Sequence, residues 1–345
     1  MAIVTLDGVL AGMQLPTEFT KIGAGTQVAG RPYTPMYAAG NPGAMTAPAG
    51  GIQGLGLTSK ATALYWANPS SGNTYLAKLS CECINTGTLL LCDRLWENSG
   101  NSSTSTGAQA STLAISAITQ ANPTEITCAA HGQAAGTFVV HITGSNSNPV
   151  VDGTYVATYV SATKFTIPVN VATGAGNTGL AYICPPPRDK FATAVPNSNA
   201  NAVYGTDVLL AYEVSGTMGS GTPTFAVTYV NSAGVAARTS PTLTFATTHI
   251  IGTFIPIPFQ AGDVGIRAVV SHIKNATQNS GTYHLVMYRV LARVGVPVAG
   301  LGYAVDAITG GFVRAYDDTC PFLVWIPGST TAPTYLSAQV IWTQG

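Results

Sequence analysis

The chain is 345 residues long, and only 8% of it is charged, fourteen basic and fourteen acidic residues with a formal net charge of zero. Soluble domains ordinarily carry roughly a quarter charged residues, and a chain near zero net charge tends to associate. A hydrophobic content of 46% excludes global disorder, no apolar run is long enough for a membrane helix, and no basic run offers a nucleic-acid surface.

The first residues, Met-Ala-Ile-Val-Thr-Leu-Asp, lack a basic segment and carry an early acid, so they read as no secretory leader, and folding in a cytoplasm is expected. Leu6, Val9, Leu10 and Met13 fall at helical spacing and predict a short amphipathic segment that docks on a neighbour, weakened by Gly8 and Gly12. Residues 23–59 are rich in Gly and Pro, which excludes helix. The whole of 1–59 is expected to be an extended arm, ordered only on another subunit, with Tyr33, Pro35, Met36 and Tyr37 as its apolar contacts. From residue 74 the period becomes two, and residues 74–84 and 87–96 flank Asn85-Thr86-Gly87, which predicts a hairpin. The Ser/Asn/Gly-rich stretch 98–112 reads as a linker, as does Cys184-Pro185-Pro186-Pro187. Between them, 113–183 carries its own alternating apolar set. Strand text then recurs every 10–20 residues to the C-terminus.

These patterns predict an all-β chain: an antiparallel β-sandwich or jelly-roll-like domain with an inserted small all-β domain and an extended N-terminal arm. The expected units are the arm at 1–59, a discontinuous sandwich from 60–105 and 187–345, and an insert at 106–186 dispensable for folding.

The insert resembles a small β-module of phage structural and tail proteins. The motifs are Pro-Thr-Glu-Ile-Thr at 123–127, Ala-His-Gly at 130–132, Val-His-Ile-Thr-Gly at 140–144, Asp-Gly-Thr-Tyr-Val at 152–156 and Thr-Lys-Phe-Thr-Ile at 163–167. It departs from that pattern at Ala135-Gly136, where Gly-Asp is usual after His-Gly. Residues 227–238, 257–267, 281–289 and the strand from Asn85 to Trp96 are similar to a family of tailed-phage virion proteins. The resemblance implies a particle component, a capsid-surface or decoration protein.

Motifs for chemistry are weak. Gly174-Ala-Gly176-Asn-Thr-Gly179 matches a dinucleotide fingerprint in letters, but strand and then proline follow it instead of a helix, so it reads as a turn. Ser161–Lys164 and Ser271–Lys274 lack the companion motifs of a Ser/Lys hydrolase. Of the five histidines only His131 and His141 come near a shared metal spacing, and Asp317-Asp318 with Asp306 form the one acidic cluster. Cys81, Cys83, Cys92, Cys128, Cys184 and Cys320 form no C-x-x-C pair and read as buried thiols. Tyr65, Trp66, Trp96, Trp325 and Trp342 offer sugar-stacking surfaces, though core positions are the commoner use.

The expectation is therefore a non-enzyme with no catalytic, cofactor-binding or metal residue. It is a bacteriophage virion protein, assembled in the bacterial host's cytoplasm, that cements capsomers as a homo-oligomer such as a trimer. Its partners are itself and the major capsid protein or other virion proteins, with no nucleic acid and no membrane. The alternative is a receptor- or glycan-binding virion module whose insert meets host-surface glycan.

Overall fold

The computed structural model describes residues 5–48, 50–58, 72–186, 188, 204–245, 249–311, 313–330 and 335–345. Tyr65 and Trp66 lie outside them. The protein is all-β and its strand pairs are antiparallel.

A first sheet runs β2 (Gly40–Asn41), β1 (Thr17–Ile22), β24 (Tyr335–Gln344), β4 (Thr74–Cys83) and β21 (Tyr303–Asp306), with β22 (Arg314–Ala315) also on β4. A second runs β18 (Phe254–Ile257), β14 (Leu209–Gly216), β20 (Thr282–Val296), β5 (Gly87–Glu97) and β23 (Pro321–Pro327); β3 (Leu55–Gly56) adds to β5 and β6 (Asn101–Ser102) to β20. A third runs β16 (Arg238–Thr239), β15 (Thr224–Asn231), β19 (Ile266–Lys274) and β7 (Gly107–Ala110), with β17 (Leu243–Thr244) on β15.

The second sheet is the middle layer. Its alternate residues serve two cores, because successive side chains on a strand face opposite ways. On β20, Val286 and Tyr288 pack with Leu79, Cys81 and Val340 of the first sheet. Tyr283, Leu285 and Met287 pack with Phe225, Val227 and Val269 of the third. Burial on both faces explains the nearly unbroken apolar text of β5, which a one-sided strand would alternate with polar residues.

That layering corrects the expected hairpin. β4 pairs with β24 and β21, whereas β5 pairs with β20 and β23, so the Asn85-Thr86 turn is a corner between layers. Alternation specified two strands and a turn, but not whether the turn returned the chain to the same sheet. The Ser-rich stretch 98–112 is likewise not a linker. β6 pairs with β20 and β7 with β19, since backbone pairing at a sheet edge needs no apolar side chain.

The expected free arm is part of the monomer. β1 pairs with β24 along its whole length. Tyr33 bridges Trp325 and Thr253, and Tyr33, Pro35, Met36 and Tyr37 are buried within the same chain. Lys21, fully buried, donates to the carbonyls of Ala38, Pro42 and Gly43, with burial lowering its pKa. Backbone pairing and a lysine clamp supply what Gly/Pro composition withheld. Helix α1 (Leu6–Ala11) buries only Val9; Leu6 and Leu10 are exposed.

Residues 112–184 form a closed barrel in the order β10 (Thr137–Thr143), β11 (Gly153–Ser161), β12 (Lys164–Ile167), β9 (Thr124–Cys128), β8 (Thr112–Ile118) and β13 (Leu180–Cys184). Ile126, Val140, Tyr155 and Phe165, all motif residues, are buried in its core. Gly54 packs where the segment before β5 meets the barrel: its carbonyl accepts from Gln133, its φ is +80°, and an added Cβ would sit 2.0 Å from the buried Trp96 ring. Gly54→Ala is expected to cost roughly 2–4 kcal/mol in urea unfolding, combining positive-φ strain with overpacking.

Thr112 pairs with Tyr182, so the barrel's two chain ends lie side by side. Excising 112–184 with a short Gly/Ser bridge should leave a folded but less stable sandwich, because Val230, Ala268 and Tyr204 lose their cover of Val139 and Tyr182. Excising 106–186 should cost more in the same circular dichroism and urea measurements, since it also removes β7 and the Pro185 carbonyl that Tyr204 bonds.

Candidate functional site

The densest polar chemistry is internal. Arg94 of β5, Glu213 of β14, His284 of β20, Glu97 of β5 and Tyr37 meet between the second sheet and the N-terminal segment. Arg94 and Glu97 are three apart and would face opposite ways on a regular strand. A bulge between Arg94 and Trp96 restores them to one side. The Arg94 guanidinium holds Glu97 at 2.5 Å through Nε and grips Glu213 with Nη1 at 3.0 Å and Nη2 at 2.5 Å. Arg94, Glu213 and His284 are essentially inaccessible.

Glu213 only accepts and the Arg94 guanidinium only donates, and both meet His284 Nε2, with Arg94 Nη2 at 2.9 Å. Tyr37 donates to the same carboxylate oxygen at 3.4 Å. Burial alone would raise the Glu213 carboxyl, but Arg94 and then His284 outweigh it and hold it well below the usual carboxylate range. Burial lowers His284 against the opposing pull of Glu213. A cleft of about 230 Å³ opens beside His284, walled by Pro48, Ser99, Ser102, Ser215 and Thr282. The Ser215 and Thr282 hydroxyls bond each other at 3.0 Å, and His284 Nε2 is taken up by Glu213, Arg94 and Tyr37. The arrangement clamps the N-terminal segment to the middle sheet.

A second cluster does the same beyond β5. Arg188 binds Asp93 bidentately at 2.9 and 3.1 Å, Asp318 at 2.7 Å and the Leu57 carbonyl at 2.9 Å, while the Cys320 amide donates to Asp93. Four distant segments converge there.

The residues singled out in the sequence do not assemble. Asp306 caps α2 (Ala307–Gly310) while Asp318 pairs with Arg188. His131 bonds the Ser161 carbonyl at 2.8 Å between the Phe138, Tyr159 and Phe165 rings, and His141 contacts Thr154 and Tyr182, so the two share no neighbour. The Ala-His-Gly motif is thus a latch on the β11–β12 hairpin. Gly174 and Gly176 bridge Asn148 and Ile118 in a loop at the barrel. Ser161 and Lys164 close a hairpin, and Ser271 and Lys274 lie on β19. Trp96, Trp325 and Trp342 are buried, which removes them as sugar platforms. All six cysteines are buried thiols outside any disulfide, and burial pushes the Cys128 thiol up to about 11 and Cys81 and Cys184 to about 12. Among the described residues no helix is long and apolar enough to cross a membrane.

Both buried clusters were missed by motif reading. Asp93-Arg94 inside an otherwise apolar strand was the available signal, since charges at such positions persist only when paired.

No protein-family model and no curated protein matches the chain. Among solved structures, the VP2 subviral particle of infectious bursal disease virus aligns over 84% of each chain at 10% identity, with a TM-score of 0.17. The T13 particle of that virus aligns over 80% of this chain and 78% of its own at 11% identity and a TM-score of 0.12.

Proposed function

We propose that the chain is a non-enzymatic structural subunit of a virus particle, a tailed-phage decoration or cement protein that self-associates on the capsid and bridges capsomers. The observation that carries this reading is where the charge resides. Lys21, Asp93, Arg94, Glu97, Arg188, Glu213, Arg267 and Lys274 are buried, so at most twenty of the twenty-eight charged side chains remain for the exterior. A freely diffusing protein distributes charge the other way. Internal ion pairs lock one arrangement of layers, while Thr20, Ser80, Ser337 and Gln339 wet the outer face of the first sheet beside Glu18 and Glu82. The virion motifs described above point the same way, and the partners are further copies of this chain and the capsid shell.

Particles with and without this protein provide the test. Many copies per particle, and genome loss at lower temperature without it, are expected; a few copies or unchanged heat resistance overturns the cement role. Leu6 and Leu10 on α1 are each 57% exposed and Leu15 is 90% exposed. Leu10→Asp combined with Leu15→Asp is expected to shift sedimentation toward monomer at micromolar concentration with the circular dichroism spectrum unchanged.

A further inference from the structure

The joint between barrel and sandwich holds a buried polar bridge between a histidine and an arginine. Around it, Val139, Tyr182 and Cys184 of the barrel pack on Tyr204, Val230 and Ala268 of the body. At the centre, Arg267 of β19, fully buried, donates from Nη1 to Thr154 Oγ1 at 3.2 Å and from Nη2 to the Ser232 carbonyl, with its guanidinium 5.5 Å from the centre of the Tyr204 ring. Thr154 Oγ1 lies 2.8 Å from His141 Nδ1, and His141 is also fully buried.

A guanidinium only donates, so the threonine oxygen accepts from Arg267. Its second lone pair and its proton are both open to His141 Nδ1, so either neutral tautomer fits this contact. The other ring nitrogen, Nε2, is buried with no partner. An imidazolium here would bury an Nε2–H without an acceptor and set a second cation one threonine hydroxyl away from Arg267.

We propose that this joint is an acid-sensitive latch: protonating His141 sets an imidazolium against Arg267 across one threonine hydroxyl and loosens the barrel from the sandwich while the barrel itself stays closed. The other titratable groups facing His141 are Asp152 at the end of the β10–β11 turn and Tyr182 and Cys184 of β13. Asp152 favours the imidazolium but is occupied by the amides of Gly144 and Ser145. Burial first, and Arg267 second, push His141 down to about 4 from 6.5, more than Asp152 raises it. The docked state therefore keeps its full stability above pH 6.5 and loses it as the pH falls toward 4, by roughly thirty-fold at pH 5 and about 300-fold at the limit.

Amide exchange on the whole chain, corrected for intrinsic rates, reads this directly. Between pH 7 and about pH 5, β10, β13 and β19 are expected to lose protection, while β9 and β12 inside the barrel and β24 in the first sheet keep theirs. His141→Gln, which cannot become cationic, should hold the joint closed at pH 5. Equal loss in wild type and variant, or no loss in wild type, overturns the latch. The His141 ring resonance of the wild type gives a second reading independent of any variant folding: titration near 6.5 overturns the proposal, whereas a midpoint near 4 that rises in Arg267→Met supports it.

Discussion

Arg94→Leu is expected to destabilise the fold by at least 3–5 kcal/mol, a large share of the roughly 5–15 kcal/mol that holds a domain together. The loss comes from what stays behind. Glu97 and Glu213 would remain buried without their guanidinium partner, and Tyr37 would lose the network that docks it. Urea unfolding at neutral pH measures the effect. Adding Glu97→Gln and Glu213→Gln removes the stranded charges and should recover roughly half of it, because an uncompensated ion costs more than a buried neutral amide. A single variant as stable as wild type would show that the cluster is hydrated and contributes little.

Acid is expected to weaken the whole fold well before Glu213 of the Arg94 cluster titrates. Besides His141, burial pushes His249 and His272 down to about 4, and nearby cations, Arg31 and Lys274 respectively, add to it. Both rings are nearly inaccessible. His272 contacts the Tyr283 hydroxyl at 3.0 Å, and His249 packs on Phe245. Each folded-state value lies below the free one, so the unfolded chain binds the extra proton. The stability each neutral ring maintains is complete above pH 6.5 and falls as pH drops to about 4, by roughly 3 kcal/mol per ring at most. Glu213 stays ionised throughout, so the loss reports on histidine. A urea-midpoint series from pH 7 to pH 4.5 should slope steeply. His272→Gln should flatten that slope even though it lowers stability at pH 7, and a flat wild-type series would mean that these rings are solvated.

The sequence by itself determined the strands, because period-two alternation and Gly/Pro/Asn punctuation are local. β4, β5, β10, β15, β20 and β24 stand where that text placed them. It also determined that the cysteines are buried thiols, whereas 112–184 close as a barrel whose core is continuous with that of the sandwich. Only the tertiary structure decided which strands are neighbours. The turn at Asn85 is equally compatible with a hairpin and with a corner between layers, and the choice fell to β20 and β23, nearly 200 or more residues away in sequence, which flank β5 on both sides. The same holds for the described residues of the N-terminal segment, 5–48 and 50–58. A Gly/Pro-rich segment has little side-chain area to announce its partner, so its place was set by backbone pairing with β24 and by Lys21 and Tyr37, single polar groups whose counterparts lie far along the chain. The charged clusters were illegible for that reason: Arg94 and Glu213 are 119 residues apart, and a buried ion pair leaves no periodicity, only one charge in an apolar strand that must find its partner in space.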